Sequence, residues 1–394
     1  MDPRRNPFTP GAGSQPPELA GRDELIERIA IYLDRIALGR QARSVILYGL
    51  RGVGKTVLLG KVRAEAEARG IFSVRVEAPE DRSLPAILAG PMRATLLRLD
   101  RMESAKAGAR RALRALASFA KLKVAYHDVE VGIDLSPEPG LADSGDLELD
   151  LTDLFAAVGE AARERGTAVV VYIDEIQYVR EQELAALISA LHATAQADLP
   201  LTMVGAGLPQ LLAQMGRAKS YAERLFEFHE VTRLNPGAAA TAITLPIERE
   251  EESIEPAAVQ AIVAATQGYP YYIQEFAKHA WDLAFCSPIS LQDVENATIT
   301  AVAELDASFF RVRFDRLTPT EKRYVRAMAA LGPGPHRSGD IADRLGKQVT
   351  QLAPIRNSLI KKGMLYSPAH GDTAFTVPMF DAFMRRIMPD EAEL

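Results

Sequence analysis

Apolar residues in the first 235 positions fall into two kinds of run. Residues 169–173 are a continuous apolar run, the pattern of a strand buried on both faces of a parallel sheet, residues 45–48 are a second apolar run, and 72–76 and 201–205 are expected to be further strands. Between them, apolar positions recur at helical spacing. Leu25, Ile29 and Leu33, with Ile26 and Ala30, form one stripe, and helices are expected near 151–163 and 183–194. Strands alternating with helices predict an α/β fold, a parallel sheet with helices on both faces. Residues 231–234 are expected to supply a last short strand.

After Asn235-Pro236-Gly237 the pattern turns helical throughout. Helices are expected at 237–243, 256–266 and 271–284, with Gly268-Tyr269-Pro270 breaking the last two, and a longer one at 291–314. Thr318-Pro319-Thr320-Glu321 has the form of a capping box. A short helix at 338–345 and a longer one at 349–362 follow. The runs 364–366 and 373–377 then flank a Pro-Ala-His-Gly-Asp turn and predict a hairpin. Three helices and a hairpin make a winged helix-turn-helix.

The segment 79–150 is too long for an ordinary crossover and is expected to be a structured insertion. It holds an apolar helix near 84–99, a basic helix near 104–120, a hairpin about Tyr126-His127-Asp128 and an acidic loop. Residues 1–17, rich in Pro, Gly and polar side chains, are expected to be disordered. The expected division is therefore a tail at 1–17, an α/β domain at 18–235, a helical domain at 236–317 and a winged helix at 318–394.

Composition narrows the class only modestly. The chain of 394 residues is 47% hydrophobic and 25% charged, with a net charge of −6, an ordinary globular balance that argues against indiscriminate coating of nucleic acid. No apolar run reaches the ~18 residues of a membrane helix, and the amino terminus lacks an apolar leader core, so a cytoplasmic location is expected. The single cysteine, Cys286, excludes an internal disulfide framework. Six scattered histidines offer no paired-ligand motif.

The chemistry is concentrated at two places. Gly49-Leu50-Arg51-Gly52-Val53-Gly54-Lys55-Thr56 follows an apolar strand and precedes the apolar Val57-Leu58-Leu59, which is the strand, phosphate loop and helix arrangement. Its backbone N–H groups would converge on phosphate, Lys55 would reach the β- and γ-phosphates, and Thr56 would offer its hydroxyl to Mg²⁺. The second place is the end of the 169–173 run, where Asp174 and Glu175 stand directly after a strand expected to be buried on both faces. Beside the phosphate loop, Asp174 would hold the Mg²⁺ shell and Glu175 would polarise the attacking water. ATP, with ADP as product, and Mg²⁺ are the ligands implied.

With Gly21-Arg22-Asp23-Glu24-Leu25 ahead of the loop, the acidic pair, a helical bundle holding Gly268-x-Pro270 and a terminal winged helix, the chain resembles AAA+ ATPases of the origin-recognition (replication initiator) type. It also looks like the related STAND-type signalling ATPases. The resemblance, over about 18–388, implies an ATP hydrolase with a helical lid. It implies that Gly21 and Arg22 lie along the adenine, that the nucleotide-binding set includes 49–57, Asp174 and Pro270, and that Arg224 reaches a neighbouring subunit's γ-phosphate in a homo-oligomer. Two departures stand out. The strand that should end in a polar γ-phosphate sensor ends in Gly205-Ala206-Gly207 with only Thr202 upstream, and Tyr271-Tyr272 stand where initiator-type proteins place an arginine.

Between Thr318 and Met388 there are eleven Lys and Arg against five Asp and Glu. Lys347, Gln351, Arg356, Asn357, Lys361 and Lys362 are candidates for contact with duplex DNA. The basic insertion helix, with Arg110, Arg111 and Arg114, is open to two readings: a second DNA contact, or charge compensation by the acidic loop at Glu138, Asp143, Asp146 and Glu148. Two functions follow: an ATPase coupling nucleotide state to DNA binding, and a STAND-like switch with slow hydrolysis whose winged helix binds protein.

Overall fold

Five strands, β1 (Ser44–Tyr48), β2 (Phe72–Glu77), β3 (Val169–Asp174), β4 (Leu201–Gly207) and β5 (Phe226–Glu230), run parallel in the order β2-β3-β4-β1-β5. A computed structural model of the chain describes residues 1–11, 13–80, 82–100, 106–123 and 138–389. The chain forms two compact units, one of Arg22–Tyr48 with Lys55–Glu230, the other of Met1–Gly21, Gly49–Gly54 and the part from Val231 onward.

The first unit is the α/β core. Every residue of β3 and β4 is buried, which is why both read as unbroken apolar runs. The helices are α1 (Asp23–Ala37), α2 (Lys55–Ala68), α3 (Leu84–Asp100), α4 (Lys106–Lys123), α5 (Leu147–Arg165), α6 (Glu181–Gln196), α7 (Leu211–Ala218) and the short α8 (Ala222–Leu225). Asp146 accepts the Leu149 N–H at 3.0 Å to cap α5.

The inserted helices do not form a module of their own. Met92, Leu96 and Leu99 of α3 and Leu113, Leu116 and Phe119 of α4 join one buried cluster with α5 and the sheet. The expected hairpin about Tyr126-His127-Asp128 lies outside the described residues.

The last strand differs from the expected one. Residues 231–234 are not a strand, and β5 lies just before them, paired along β1 from Ser44↔Phe226 to Tyr48↔Glu230. An edge strand covered on one face needs only alternation, and Phe226-Glu227-Phe228-His229-Glu230 provides it. The apolar Val231 and Leu234 are buried in the second unit instead, where Leu234 N–H donates to Gly268 O at 2.9 Å.

The second unit starts with α9 (Pro236–Arg249), α10 (Pro256–Thr266), α11 (Pro270–Leu283) and α12 (Leu291–Leu305). The long helix expected at 291–314 is present but changes pitch: a π-helical turn, Asp306–Phe310, joins α12 to α13 (Arg311–Asp315). Then come α14 (Pro319–Ala330), capped reciprocally by Thr318 and Glu321, α15 (Ser338–Arg344) and α16 (Val349–Lys361). Three short strands, β6 (His336–Arg337), β7 (Leu365–Tyr366) and β8 (Asp372–Phe375), make an antiparallel sheet ordered β6-β8-β7. The helices and hairpin expected of a winged helix are thus in place. A final helix, α17 (Phe380–Ile387), was not expected, and its Phe383 and Met384 are buried in the same cluster as α11 and α14.

Residues 2–8 are held against the second unit's helices rather than forming a disordered tail. Asn6 Nδ2 donates to Lys278 O and Asp282 Oδ1 at 3.0 and 2.8 Å, Trp281 Nε1 donates to Asp2 O at 2.9 Å, and Phe8 joins the buried cluster. Composition misled here because polar groups bonded to α11, with one phenylalanine, do the anchoring.

Candidate active site

In the first unit the two candidate motifs meet. Lys55 opens α2 and is 7% exposed, Asp174 closes β3 and is 8% exposed, and the Thr56 hydroxyl is hydrogen-bonded to the Asp174 carboxylate. Burial pushes the Asp174 carboxyl up, and the neighbouring charge of Glu175 adds to this. The Thr56 hydrogen bond, the Glu175 N–H at 2.9 Å and the charge of Lys55 act the other way. A hydroxyl and a buried carboxylate held together are a pair of hard oxygen donors. They fit Mg²⁺, whose ligands are oxygens and which keeps several waters.

Glu175 follows in a left-handed backbone conformation, φ +51°, unusual for a residue with a side chain. Its carboxylate accepts from Gln177 Nε2, a buried residue absent from the expected site. The sequence offered only its proximity to the acidic pair.

The loop 49–54 leads from β1 into α2 and belongs to the second unit. Gly54 has φ +90°, a conformation closed to other residues without strain. At Gly49 a Cβ would lie 2.1 Å from the Val231 carbonyl oxygen. Among the contacts that hold the loop backbone, Tyr271 N–H donates to Gly52 O at 3.1 Å and Arg51 N–H donates to Thr376 O at 2.9 Å. Val53 is buried, and Leu50 and Gly52 are half-buried. Pro270 opens α11 just before Tyr271. The Tyr271 ring stacks on Phe309 at 4.7 Å, and the Arg313 guanidinium lies 3.9 Å from the centre of that ring. Burial, followed by the charge of Arg51, pushes Arg313 down to about 10.

Gly21 and Arg22 fall in different units. A Cβ on Gly21 would lie 2.7 Å from Ala238 Cβ, whereas Arg22 caps α1, half-buried, with its guanidinium lowered by burial. Val57 is half-buried in α2. Thr202 is no sensor: its hydroxyl lies 3.0 Å from that of Ser44, at the amino ends of β4 and β1. Arg224 lies two residues before β5, also at the amino end of the sheet. Five strand residues at about 3.3 Å each place it some 17 Å from the carboxyl end where Asp174 sits. It therefore does not serve the site of its own chain.

Two DNA candidates are engaged within their own domain. Arg356 donates to Thr373 Oγ1, Ser367 Oγ and the Asp372 carbonyl at 2.7, 2.8 and 2.9 Å, bracing the hairpin. Lys362 Nζ donates to Glu321 Oε2 at 2.7 Å and to Arg316 O at 3.1 Å. Lys347, Gln351, Asn357 and Lys361 are exposed. In α4, Arg110 and Arg111 pair with Asp100 of α3 and Glu160 of α5 at 3.3 and 2.9 Å, and of the three only Arg114 pairs with the acidic loop, at Glu138, 2.8 Å. Among the described residues, Glu275, His279 and Glu304 bring possible ligand atoms within 4.8 Å of one another. Tyr271 Oη donates to Glu275 at 2.9 Å and Lys278 Nζ lies 4.0 Å from Glu304, so protein donors already serve these carboxylates.

A strand, glycine loop and helix, and a parallel sheet of five strands with an acidic strand end, are the elements of a P-loop NTPase fold. Residues 18–204 match the AAA ATPase domain family, and residues 307–384 match a domain of unknown function, DUF8462. No curated protein matches the chain. The fold is similar to that of the Walker-type ATPase PABY2304 of Pyrococcus abyssi, with a TM-score of 0.60 at 15% identity over 94% of this chain and 97% of that one. Weaker similarity extends to the Aeropyrum pernix ORC1 protein in complex with DNA, with a TM-score of 0.49 at 14% identity over 97% and 96% of the two chains. The Thermotoga maritima RuvB Holliday junction branch migration motor gives 0.45 at 17% identity over 90% and 92%. No helix among the described residues is long and apolar enough to cross a membrane.

Proposed function

We propose that this chain is a Mg²⁺-dependent ATPase, cytoplasmic, whose nucleotide state controls what its carboxyl-terminal domain binds. Its working parts are residues 18–235, 236–317 and 318–394. The placement of buried Lys55 at the start of α2 and buried Asp174 at the end of β3, with Lys55 and Thr56 both acting on the Asp174 carboxylate, supports the reading. Bound Mg²⁺ would supply charge neutralisation at the phosphates, held through Thr56 and Asp174. Lys55 would bind the terminal phosphates, the 49–54 loop would present its amides, and Glu175 would orient the attacking water. Arg224, remote from its own site, would act on a neighbour's nucleotide in a homo-oligomer.

Duplex DNA is the partner supported by the exposed Lys347, Gln351, Asn357 and Lys361. The Thr376 contact on the phosphate loop favours a second reading, a STAND-like switch with slow hydrolysis and a protein partner. The test is a pair of variants. Lys55→Ala should abolish nucleotide binding, whereas Glu175→Gln should retain bound ATP and lose hydrolysis. Equal loss of binding in both refutes the assignment. ATP-dependent DNA binding that weakens with salt and with Lys361→Ala separates the partners.

A further inference from the structure

The amide of Gln177 is pinned from two directions. This residue is 6% exposed, in the single turn Ile176–Tyr178 that follows β3. Its Oε1 accepts the Leu208 N–H at 3.0 Å, just beyond β4, and its Nε2 donates to Glu175 Oε2. A backbone N–H only donates and a carboxylate only accepts, so one orientation of the amide satisfies both neighbours. Gly207 leaves the room: a Cβ there would lie 2.8 Å from Gln177 Oε1. Gln214 of α7 fixes the turn by donating to the Gln177 carbonyl at 3.2 Å. Glu175 itself sits in the left-handed region, a conformation that persists where surrounding contacts over-determine it.

We propose that Gln177 is the positioning residue for Glu175. It holds one carboxylate oxygen and ties the pair to the end of β4. The inference rests on the reading of Glu175 as the water-orienting carboxylate.

Steady-state turnover and binding of a fluorescent ATP analogue are compared in the full chain for the wild type, Gln177→Met, Gln177→Glu and Glu175→Gln. Gln177→Met keeps the shape and loses both hydrogen bonds. Gln177→Glu keeps an acceptor for Leu208 N–H and replaces the donor to Glu175 by a carboxylate that repels it, so it carries the test if the methionine variant fails to fold. Both should lower kcat by about tenfold to a hundredfold. KM and analogue affinity should stay within about twofold, a split that a merely structural role would not produce. Wild-type kcat in Gln177→Glu, or a kcat loss matched by an equal loss of affinity, overturns the inference. If Glu175→Gln is inactive while Gln177→Glu is not, the inference alone fails. If Glu175→Gln turns over like the wild type, the reading of Glu175 fails and takes the inference with it.

Discussion

Glu321 gives the sharpest test of how the carboxyl-terminal domain is held. This carboxylate is 4% exposed and accepts from Lys362 Nζ at 2.7 Å, Thr318 N–H at 2.8 Å and Ser358 Oγ at 2.7 Å. Burial alone would raise it, but the bonds from Lys362, Thr318 and Ser358 hold the carboxyl down at about 2, against an ordinary 4.5. At about 1.4 kcal/mol for each tenfold change in proton affinity, that drop corresponds to roughly 3 kcal/mol of domain stability. The sign follows from the direction: the contribution is complete above pH 4.5 and disappears as pH falls towards 2.

Glu321→Gln keeps the shape and removes the charge. Backbone amides of α14 should then exchange with solvent faster by roughly a hundredfold at pH 7. The gap from wild type should narrow at pH 3.5, after correction for intrinsic exchange rates. Lys362→Met should act on the same amides, more weakly, since it removes one of the three bonds. Unchanged protection at pH 7, or a gap constant with pH, refutes the reasoning. Either result would return Lys362 to the list of free DNA contacts.

Arg356→Ala should loosen the hairpin, with β8 amides exchanging about tenfold faster, while the salt dependence of any DNA binding stays as in wild type. Loss of salt dependence without loss of protection would make Arg356 a phosphate contact. Gly49→Ala should prevent nucleotide binding and lower the melting temperature, because the new Cβ would meet backbone rather than a side chain that can move. Wild-type affinity of that variant contradicts the loop geometry. Arg224→Ala should leave nucleotide affinity of the isolated chain unchanged and reduce turnover in concentrated, assembled protein, measured as rate against concentration.

What the sequence made legible is what contiguous residues determine. The phosphate loop and Asp174-Glu175 each carry their chemistry within a few positions, so their roles were readable before their meeting place was. Contacts supplied by distant partners were harder to read. Arg356 and Lys362 have the composition of a DNA-reading helix, yet Thr373 and Glu321 engage them, and no local pattern distinguishes an outward base from an inward brace. For α17 the signal was present: Phe380, Phe383 and Met384 share one helical face. The fifth strand lies at 226–230 rather than 231–234 because the apolar Val231 and Leu234 that suggest a strand are buried in the second unit, while Phe226-Glu227-Phe228-His229-Glu230 pairs with β1.

Under the proposed function the loop 49–54 is the point of coupling, and magnitudes decide what kind of coupling it is. One backbone hydrogen bond, Arg51 N–H to Thr376 O, is worth about 0.5–1.5 kcal/mol net, tenfold at most in an equilibrium. Moving a two-state population from 1:99 to 99:1 takes about 5.5 kcal/mol. That single contact therefore supports only graded regulation. A sharp switch requires that further contacts, such as the Tyr271–Gly52 bond and the stack of Tyr271, Phe309 and Arg313, release together with it. Tyr271→Ala separates the cases, since it removes the stack and keeps the backbone N–H. Concerted release predicts that this variant changes nucleotide affinity well beyond tenfold, and that nucleotide changes carboxyl-terminal exchange protection by the same factor, as linkage demands. A change within a few-fold would leave a loop that is braced by its neighbours without being switched by them.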